Sequence, residues 1–289
     1  LVGSEMCIRD RIYVGTYNGL CRYIASNGKF EKIPLPVNSS QSNLFVNSLL
    51  EDTGRQCIWI GTEGYLFQYF PSTGQMKQTE AFHNNSIKSL ALDGNGDLLA
   101  GTDNGLYVYH NDVTPLQHII HDSRNIQSLT NNIIWNIFAD QEHNIWLGTD
   151  YGISLSRYNS ALQFIPISQI TGTGDGNQFY SLFRDSKGFY WFGGTNGLIR
   201  FTDPAGDKHN AIWYRMGDKT YPLSHNRIRH IYEDKEQQLW IATDGSINRY
   251  DYATRQFVHY NIVDSTGTYN TNWTYYMLSL IHISEPTRH

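Results

Sequence analysis

A chain of 289 residues with 40% hydrophobic and 14% aromatic content can bury one large core, and its formal charge of −5 excludes the basic surface that nucleic-acid binding requires. Its 20 Tyr, 13 Phe and 7 Trp favour strands, and its 25 Gly suit many tight turns. No run of 18 apolar residues is present to span a membrane as a helix. Of the three cysteines, Cys7 lies near the N-terminal end, and Cys21 and Cys57 fall at different places in the pattern below; they compose neither a disulfide framework nor a zinc motif.

Along the chain one motif recurs, an aromatic-apolar-Gly-Thr strand followed by a glycine turn. Its copies read YVGTYNGL, WIGTEGYL, LLAGTDNGL, WLGTDYGI, WFGGTNGL and WIATDGSI, with threonines at Thr16, Thr62, Thr102, Thr149, Thr195 and Thr243. A period of roughly 46 residues is that of one four-stranded propeller blade. The fourth copy predicts strands over Ile133–Phe138, Ile145–Thr149, Ile153–Tyr158 and Phe164–Ile167. Gly152 supplies the positive φ of its second turn. No segment combines a 3.6-residue period with caps, so no helix is predicted.

Trp59, Trp146, Trp191 and Trp240, with Tyr13 and Leu99 in the same column, are expected to pack one blade on the next. Asp52, Asp93, Asp140, Asp185 and Asp234 each open the connection from first to second strand, where an Asp side chain can bond the backbone two residues on. Three departures stand out: Leu99-Ala100 for Trp-Ile in the third copy, Gly193 as an extra residue in the fifth, and Ala242 for Gly in the sixth. The first copy lacks its first strand, and Asn272–Met277 starts a further one. The prediction is an all-β protein, a β-propeller with about six blades of a seven-bladed ring, cut at both ends. Open strand edges would make the isolated piece poorly soluble.

The ends read differently from the rest. Residues 1–11 (LVGSEMCIRDR) and 278–288 (LSLIHISEPTR) back-translate to opposite strands of one DNA segment, which two ends of a natural chain have no reason to share. That segment resembles a transposase-type sequencing adapter. The expected organisation is an adapter-like stretch over 1–11, a propeller fragment over 12–277 and a second adapter-like stretch over 278–289.

A catalytic site should break the repeat, and the turn acids obey it, so no catalytic residue is predicted among them. His225 and His230 are five apart, and His118 and His121 three apart in a strand, which points them to opposite faces; neither pair suits a metal. Asp93-Gly94-Asn95-Gly96-Asp97 opens like a calcium loop, but Leu98 and Asn104 stand where Gly and Glu are required, and the segment is also the ordinary turn of its blade. The glycine-rich stretch 171–176 precedes a strand and lacks the helix N-terminus of a phosphate loop. No metal and no cofactor is predicted.

One column behaves otherwise. Five residues before each turn acid stand Asn47, Lys88, Trp135, Tyr180 and Arg229. The residue before is always Val, Ile or Phe, and the residue two after is always Leu or Ile. Scaffold positions repeat, whereas this one varies among large polar and aromatic side chains. If the first strand is innermost, the column lies near one mouth of the central channel. Trp and Tyr can stack on sugar faces, and Arg, Lys and Asn can donate hydrogen bonds, so these five are the ligand-site candidates. The competing reading is channel filling without a ligand.

The succession of an Ile-rich strand, an Asp turn, WIGT, Gly-Leu and a Tyr or Phe resembles the two-component regulator propeller repeat, as in NNIIWNIFADQEHNIWLGTDYGISLSRYN and NRIRHIYEDKEQQLWIATDGSINRYD. The resemblance covers nearly all of 12–277. It implies the periplasmic sensor part of a hybrid histidine kinase of Bacteroidetes-like bacteria, an inner-membrane protein with its membrane helix and kinase outside this chain. It further implies a small-molecule ligand, often an oligosaccharide, and a homodimeric parent. The fragment itself would not be an enzyme. The alternatives are a secreted propeller lyase or hydrolase, which would need a non-repeating acid, His or Tyr cluster, and a protein-interaction platform.

Overall fold

In the computed structural model every regular element among the described residues is a β-strand, and none of these residues forms a helix able to cross a membrane. The structure describes residues 5–8, 11–36, 45–79, 82, 85–110, 115–125, 127–158, 162–165, 178–202, 211–220, 222–262, 274 and 277. The strands form six antiparallel four-stranded sheets, each paired in chain order.

Blade 1 is β1 (Glu5–Ile8), β2 (Arg11–Thr16), β3 (Gly19–Ile24) and β4 (Lys29–Ile33). Blade 2 is β5 (Val46–Asp52), β6 (Cys57–Thr62), β7 (Leu66–Phe70) and β8 (Gln75–Thr79). Blade 3 is β9 (Ile87–Leu92), β10 (Leu98–Thr102), β11 (Gly105–Tyr109) and β12 (Pro115–Ile119). Blade 4 is β13 (Ile134–Ala139), β14 (Ile145–Thr149), β15 (Gly152–Ser156) and β16 (Leu162–Ile165). Blade 5 is β17 (Phe179–Arg184), β18 (Tyr190–Gly194), β19 (Gly197–Phe201) and β20 (Ile212–Tyr214). Blade 6 is β21 (Ile228–Glu233), β22 (Leu239–Thr243), β23 (Ile247–Asp251) and β24 (Gln256–Tyr260).

First strands of successive blades touch one another, which puts them at the centre and the fourth strands outside. Burial follows. β6, β10, β14 and β18 are buried at every residue, because a second strand is covered on both faces by neighbouring blades. The outermost β24 exposes all but Phe257. The Trp column packs forward as expected: Trp146 sits in one cluster with Phe179, Tyr190 and Phe192 of blade 5, and Trp191 in one with Ile228 and Ile241 of blade 6.

The repeat threonine closes the hairpin between second and third strands. Thr149 Oγ1 donates to the Gly152 carbonyl at 2.9 Å and accepts the Tyr151 N–H at 3.1 Å. Thr102 and Thr243 do the same with Gly105 and Ser246. The glycine one residue earlier permits close approach of the next blade. A Cβ on Gly148 would lie 2.7 Å from the Phe179 carbonyl oxygen, and one on Gly193 would lie 2.4 Å from Ile228 Cγ2. Ala242 holds this place in blade 6, and the residue of the chain beyond that matches Ile228 is the smaller Thr274.

Two expectations are corrected. The first copy does have a first strand, since Glu5–Ile8 pairs with β2 from Glu5↔Val14 to Ile8↔Arg11. An unpaired inner edge on β2 presents free ladder groups, and backbone pairing does not depend on the origin of the residues that supply it. In the fifth copy Gly193 is not an insertion. Trp191 matches Trp146, Gly193 matches Gly148, and Gly194 takes the threonine's place, pairing with Gly197 as Thr149 pairs with Gly152. Thr195 therefore corresponds to Asp150. Of the strand expected over Asn272–Met277, only Thr274 and Met277 are among the described residues. The Thr274 N–H donates to the Thr243 carbonyl at 3.3 Å, and the Met277 N–H to His230 Nδ1 at 3.4 Å.

Candidate ligand site at the channel mouth

The five candidate residues share one backbone feature. In blade 2, Val46 pairs with Thr62 and Ser48 with Gly61, so Asn47 has no partner across the ladder. The same step occurs at Lys88, Trp135, Tyr180 and Arg229. Each is the extra residue of a β-bulge, a device that re-aims one side chain out of the alternating pattern. The residues before them, Val46, Ile87, Ile134, Phe179 and Ile228, are fully buried, while the bulge residues themselves are half-buried.

Four of the five meet in a line from blade to blade. Lys88 Nζ lies 4.4 Å from the centre of the Trp135 ring. Trp135 and Tyr180 stand edge to face, 5.1 Å apart at 82°. The Arg229 guanidinium is 5.9 Å from the Tyr180 ring centre. Asn47 is joined to the neighbouring blade instead through its Nδ2, which donates to Ser86 Oγ at 3.1 Å.

A second column, not singled out from the sequence, completes the site. The residue after each second strand is Glu63, Asp103, Asp150, Thr195 or Asp244, and its N–H donates to the residue two before the bulge (Phe45, Ser86, Ile133, Gln178 and Arg227) at 3.0–3.3 Å. That repeated bond sets its side chain beside the bulge residue. Asp150 Oδ1 accepts the Trp135 Nε1–H at 2.9 Å. Asp244 accepts Arg229 Nε and Nη2 at 2.6 and 3.1 Å, a two-pronged pair with both side chains mostly covered. The signal was readable: four of these five positions are acidic, facing a column rich in cations and N–H donors.

Burial pushes the Tyr180 hydroxyl up from its ordinary range, against the pull of Arg227 and Arg229. It stays protonated and donates to Gln178 Oε1 at 2.5 Å. In blade 1 the corresponding rim residue is Tyr17, exposed and stacked 4.2 Å from Phe45. The rim thus combines aromatic faces with amide, ammonium and guanidinium donors. Of its carboxylates, Asp150 and Asp244 are committed as acceptors to Trp135 and Arg229, and Asp103 accepts the Ser86 N–H.

The turn acids at the other end of the first strands are structural. Asp140 Oδ1 accepts the N–H groups of Glu142 and Asn144, and its Oδ2 accepts Trp146 Nε1. Among the described residues no three His, Cys, Asp or Glu side chains converge on a point that could hold a metal. In the calcium-like segment, Asp93 accepts the N–H groups of Asn95 and Asp97, and Asp97 binds His110 Nδ1. His118 bonds the Asn104 carbonyl, His121 the Leu129 carbonyl, and His225 the Arg227 N–H. The glycine-rich stretch 171–176 lies outside the described residues.

Comparison with known proteins bears on the repeat. The two component regulator propeller pattern matches residues 128–151, 173–196 and 222–245. The chain is 26% identical over 301 residues to histidine kinase P4 of Formosa agariphila, covering 94% of this chain and 20% of that protein. It is 92% identical to the extracellular domain of BT4673 from B. thetaiotaomicron, described as a hybrid two component system, over 93% of this chain and 36% of that one, with a TM-score of 0.52. Virginiamycin B lyase from Staphylococcus aureus, 14% identical over 90% of this chain and 84% of its own, has a TM-score of 0.69, which shows the propeller fold alone. The chain spans about a fifth of histidine kinase P4 and about a third of the BT4673 domain. Three of its blades, the fourth to the sixth, carry the two component regulator propeller pattern.

Proposed function

We propose that the chain is part of the extracytoplasmic, ligand-sensing propeller of a hybrid two-component sensor kinase anchored in the inner membrane, and that its ligand is an oligosaccharide. The observation that carries this reading is the line Lys88, Trp135, Tyr180 and Arg229, four large side chains placed by bulges on successive blades and in mutual contact. Aromatic faces suit the C–H faces of sugar rings, and the flanking donors suit hydroxyl or carboxylate oxygens. The near-identity to an extracellular domain described as part of a hybrid two component system supports the location.

Signalling requires that the ligand favour one of two arrangements of a receptor dimer, since binding shifts an equilibrium only through differential affinity. The test is calorimetric titration of the complete ectodomain with a panel of neutral and acidic oligosaccharides. Saturable binding by one of them, weakened about tenfold or more in Trp135→Ala and Arg229→Ala, is expected. No heat from any member, or unchanged affinity in both variants, would remove the glycan from this mouth.

A further inference from the structure

Blade 3 departs from its neighbours at the opposite end of the first strand from Lys88. In four other blades the second-strand Trp donates its Nε1–H to Oδ2 of the turn acid: Trp59 to Asp52 at 3.0 Å, Trp146 to Asp140 at 2.8 Å, and Trp191 to Asp185 and Trp240 to Asp234 at 2.7 Å. In blade 3 that residue is Leu99. Asp93 keeps its turn bonds, its Oδ1 accepting the Asn95 and Asp97 N–H groups at 2.8 Å each, while its Oδ2 takes none of the described hydrogen bonds.

At this place on the seam between blades 3 and 4 there is a cavity of about 230 Å³. Leu99, Leu106, Val108 and Ile145 supply apolar wall, and Asp93 and Asp97 supply carboxylates. The wall is braced. His110 Nδ1 holds Asp97 at 2.6 Å, and Arg55 reaches across from blade 2 to the Gly96 and His110 carbonyls, each at 2.9 Å. An apolar cavity of about 150 Å³ inside a protein takes up benzene, and this one is larger and carries an acceptor.

We propose that the cavity is a binding site for a small planar aromatic N–H donor of the indole class. The ring would take the place that the Trp indole takes in the other blades, and its N–H would donate to Asp93 Oδ2. Two carboxylates at the site disfavour rings with an anionic substituent and tolerate neutral or cationic ones.

The experiment is calorimetric titration of the complete ectodomain with indole and with N-methylindole, which keeps the ring and loses the donor. Saturable one-site binding of indole is expected, with N-methylindole about fivefold or more weaker because the carboxylate is left without its partner. Leu99→Trp fills the cavity with the protein's own indole and is expected to abolish binding. Asp93→Asn keeps an oxygen for the turn, replaces the free acceptor by an amide, and is expected to weaken indole selectively. Absence of saturable indole binding overturns the proposal, as does full binding by a folded Leu99→Trp variant. Should that variant not fold, equal affinity of the wild type for the two ligands overturns it.

Discussion

Tyr252 of blade 6 donates its hydroxyl to Asp185 Oδ2 of blade 5 at 2.7 Å, and the same oxygen accepts the Trp191 indole N–H at 2.7 Å. Burial, followed by that bond and the carboxylate's charge, drives the Tyr252 hydroxyl well above its ordinary range, so it remains a donor. One carboxylate oxygen thus ties a strand of its own blade to the blade beyond. Asp185→Ala would leave four donors without this acceptor, the two above and the Lys187 and Phe189 N–H groups on its Oδ1, an expected loss of about 3 kcal/mol or more, and Tyr252→Phe about 1 kcal/mol. Urea unfolding midpoints measure both, and a double-mutant cycle should show coupling, since the pair shares one bond.

Acid should loosen the centre of the molecule. Burial lowers His230 from 6.5 to about 4, so the folded state holds it neutral. A group whose folded pKa lies below its unfolded value contributes stability that is complete above the unfolded value and is lost as pH falls toward the folded one. His230 should therefore cost roughly 3 kcal/mol between about pH 6.5 and 4. At Asp140 burial raises the carboxyl, but the bonds from Trp146, Asn144 and Glu142 outweigh it and hold it below its ordinary range. Its contribution, present above the unfolded carboxylate pKa, is lost on further acidification. His230→Ser, which copies Ser181 of blade 5, should flatten the first part of a stability profile against pH and leave the second.

The seam glycines should resist substitution. Gly193→Ala sets a Cβ 2.4 Å from Ile228 Cγ2 and 2.8 Å from its Cβ. Because both atoms belong to a fully buried innermost residue, blade 5 and blade 6 must separate, at an expected cost of about 1–3 kcal/mol. Gly193→Ala combined with Ile228→Ala, which removes the clashing Cγ2, should lose less than the two single changes together, as read by thermal melting.

Bulge residues and their neighbours should separate in mutagenesis. Ile87→Ala empties fully buried volume and should cost about 2–5 kcal/mol. Lys88→Ala, one residue on, removes a half-buried side chain from a position outside the ladder and should change stability by about 0.5 kcal/mol or less. Comparable losses at both positions would mean that the rim is scaffold.

Much of the architecture was legible because a blade is a local unit. A hairpin turn, a strand covered on both faces and a polar outer strand each leave a short signature, and repetition made each readable several times. The fourth copy shows the accuracy: Ile145–Thr149 matches β14 at both ends, Ile133–Phe138 is offset from β13 by one residue at each end, and the expected third and fourth strands end two residues beyond β15 and β16. The fifth copy shows the limit. Its threonine is a misleading marker, whereas Trp191 is the better one, six residues after Asp185, as Trp146 is six after Asp140, because that spacing closes an Asp–Trp hydrogen bond. The rim column was found through its variability. That its members are bulges was not legible, since a bulge is a relation between two strands. The acids beside it, Asp150 and Asp244, were hidden because in one dimension they look like turn residues. The cavity beside Leu99 was visible only as a substitution, because what a missing side chain leaves open depends on how two blades meet.

The bulge frees one position per blade from the scaffold. A side chain that takes no part in strand pairing can be exchanged without disturbing the repeat that carries it. Five side chains, those of Asn47, Lys88, Trp135, Tyr180 and Arg229, can then be exchanged one blade at a time while the glycines, threonines and turn acids that close each blade stay as they are. Single substitutions therefore redraw the rim of such a propeller on an unchanged scaffold.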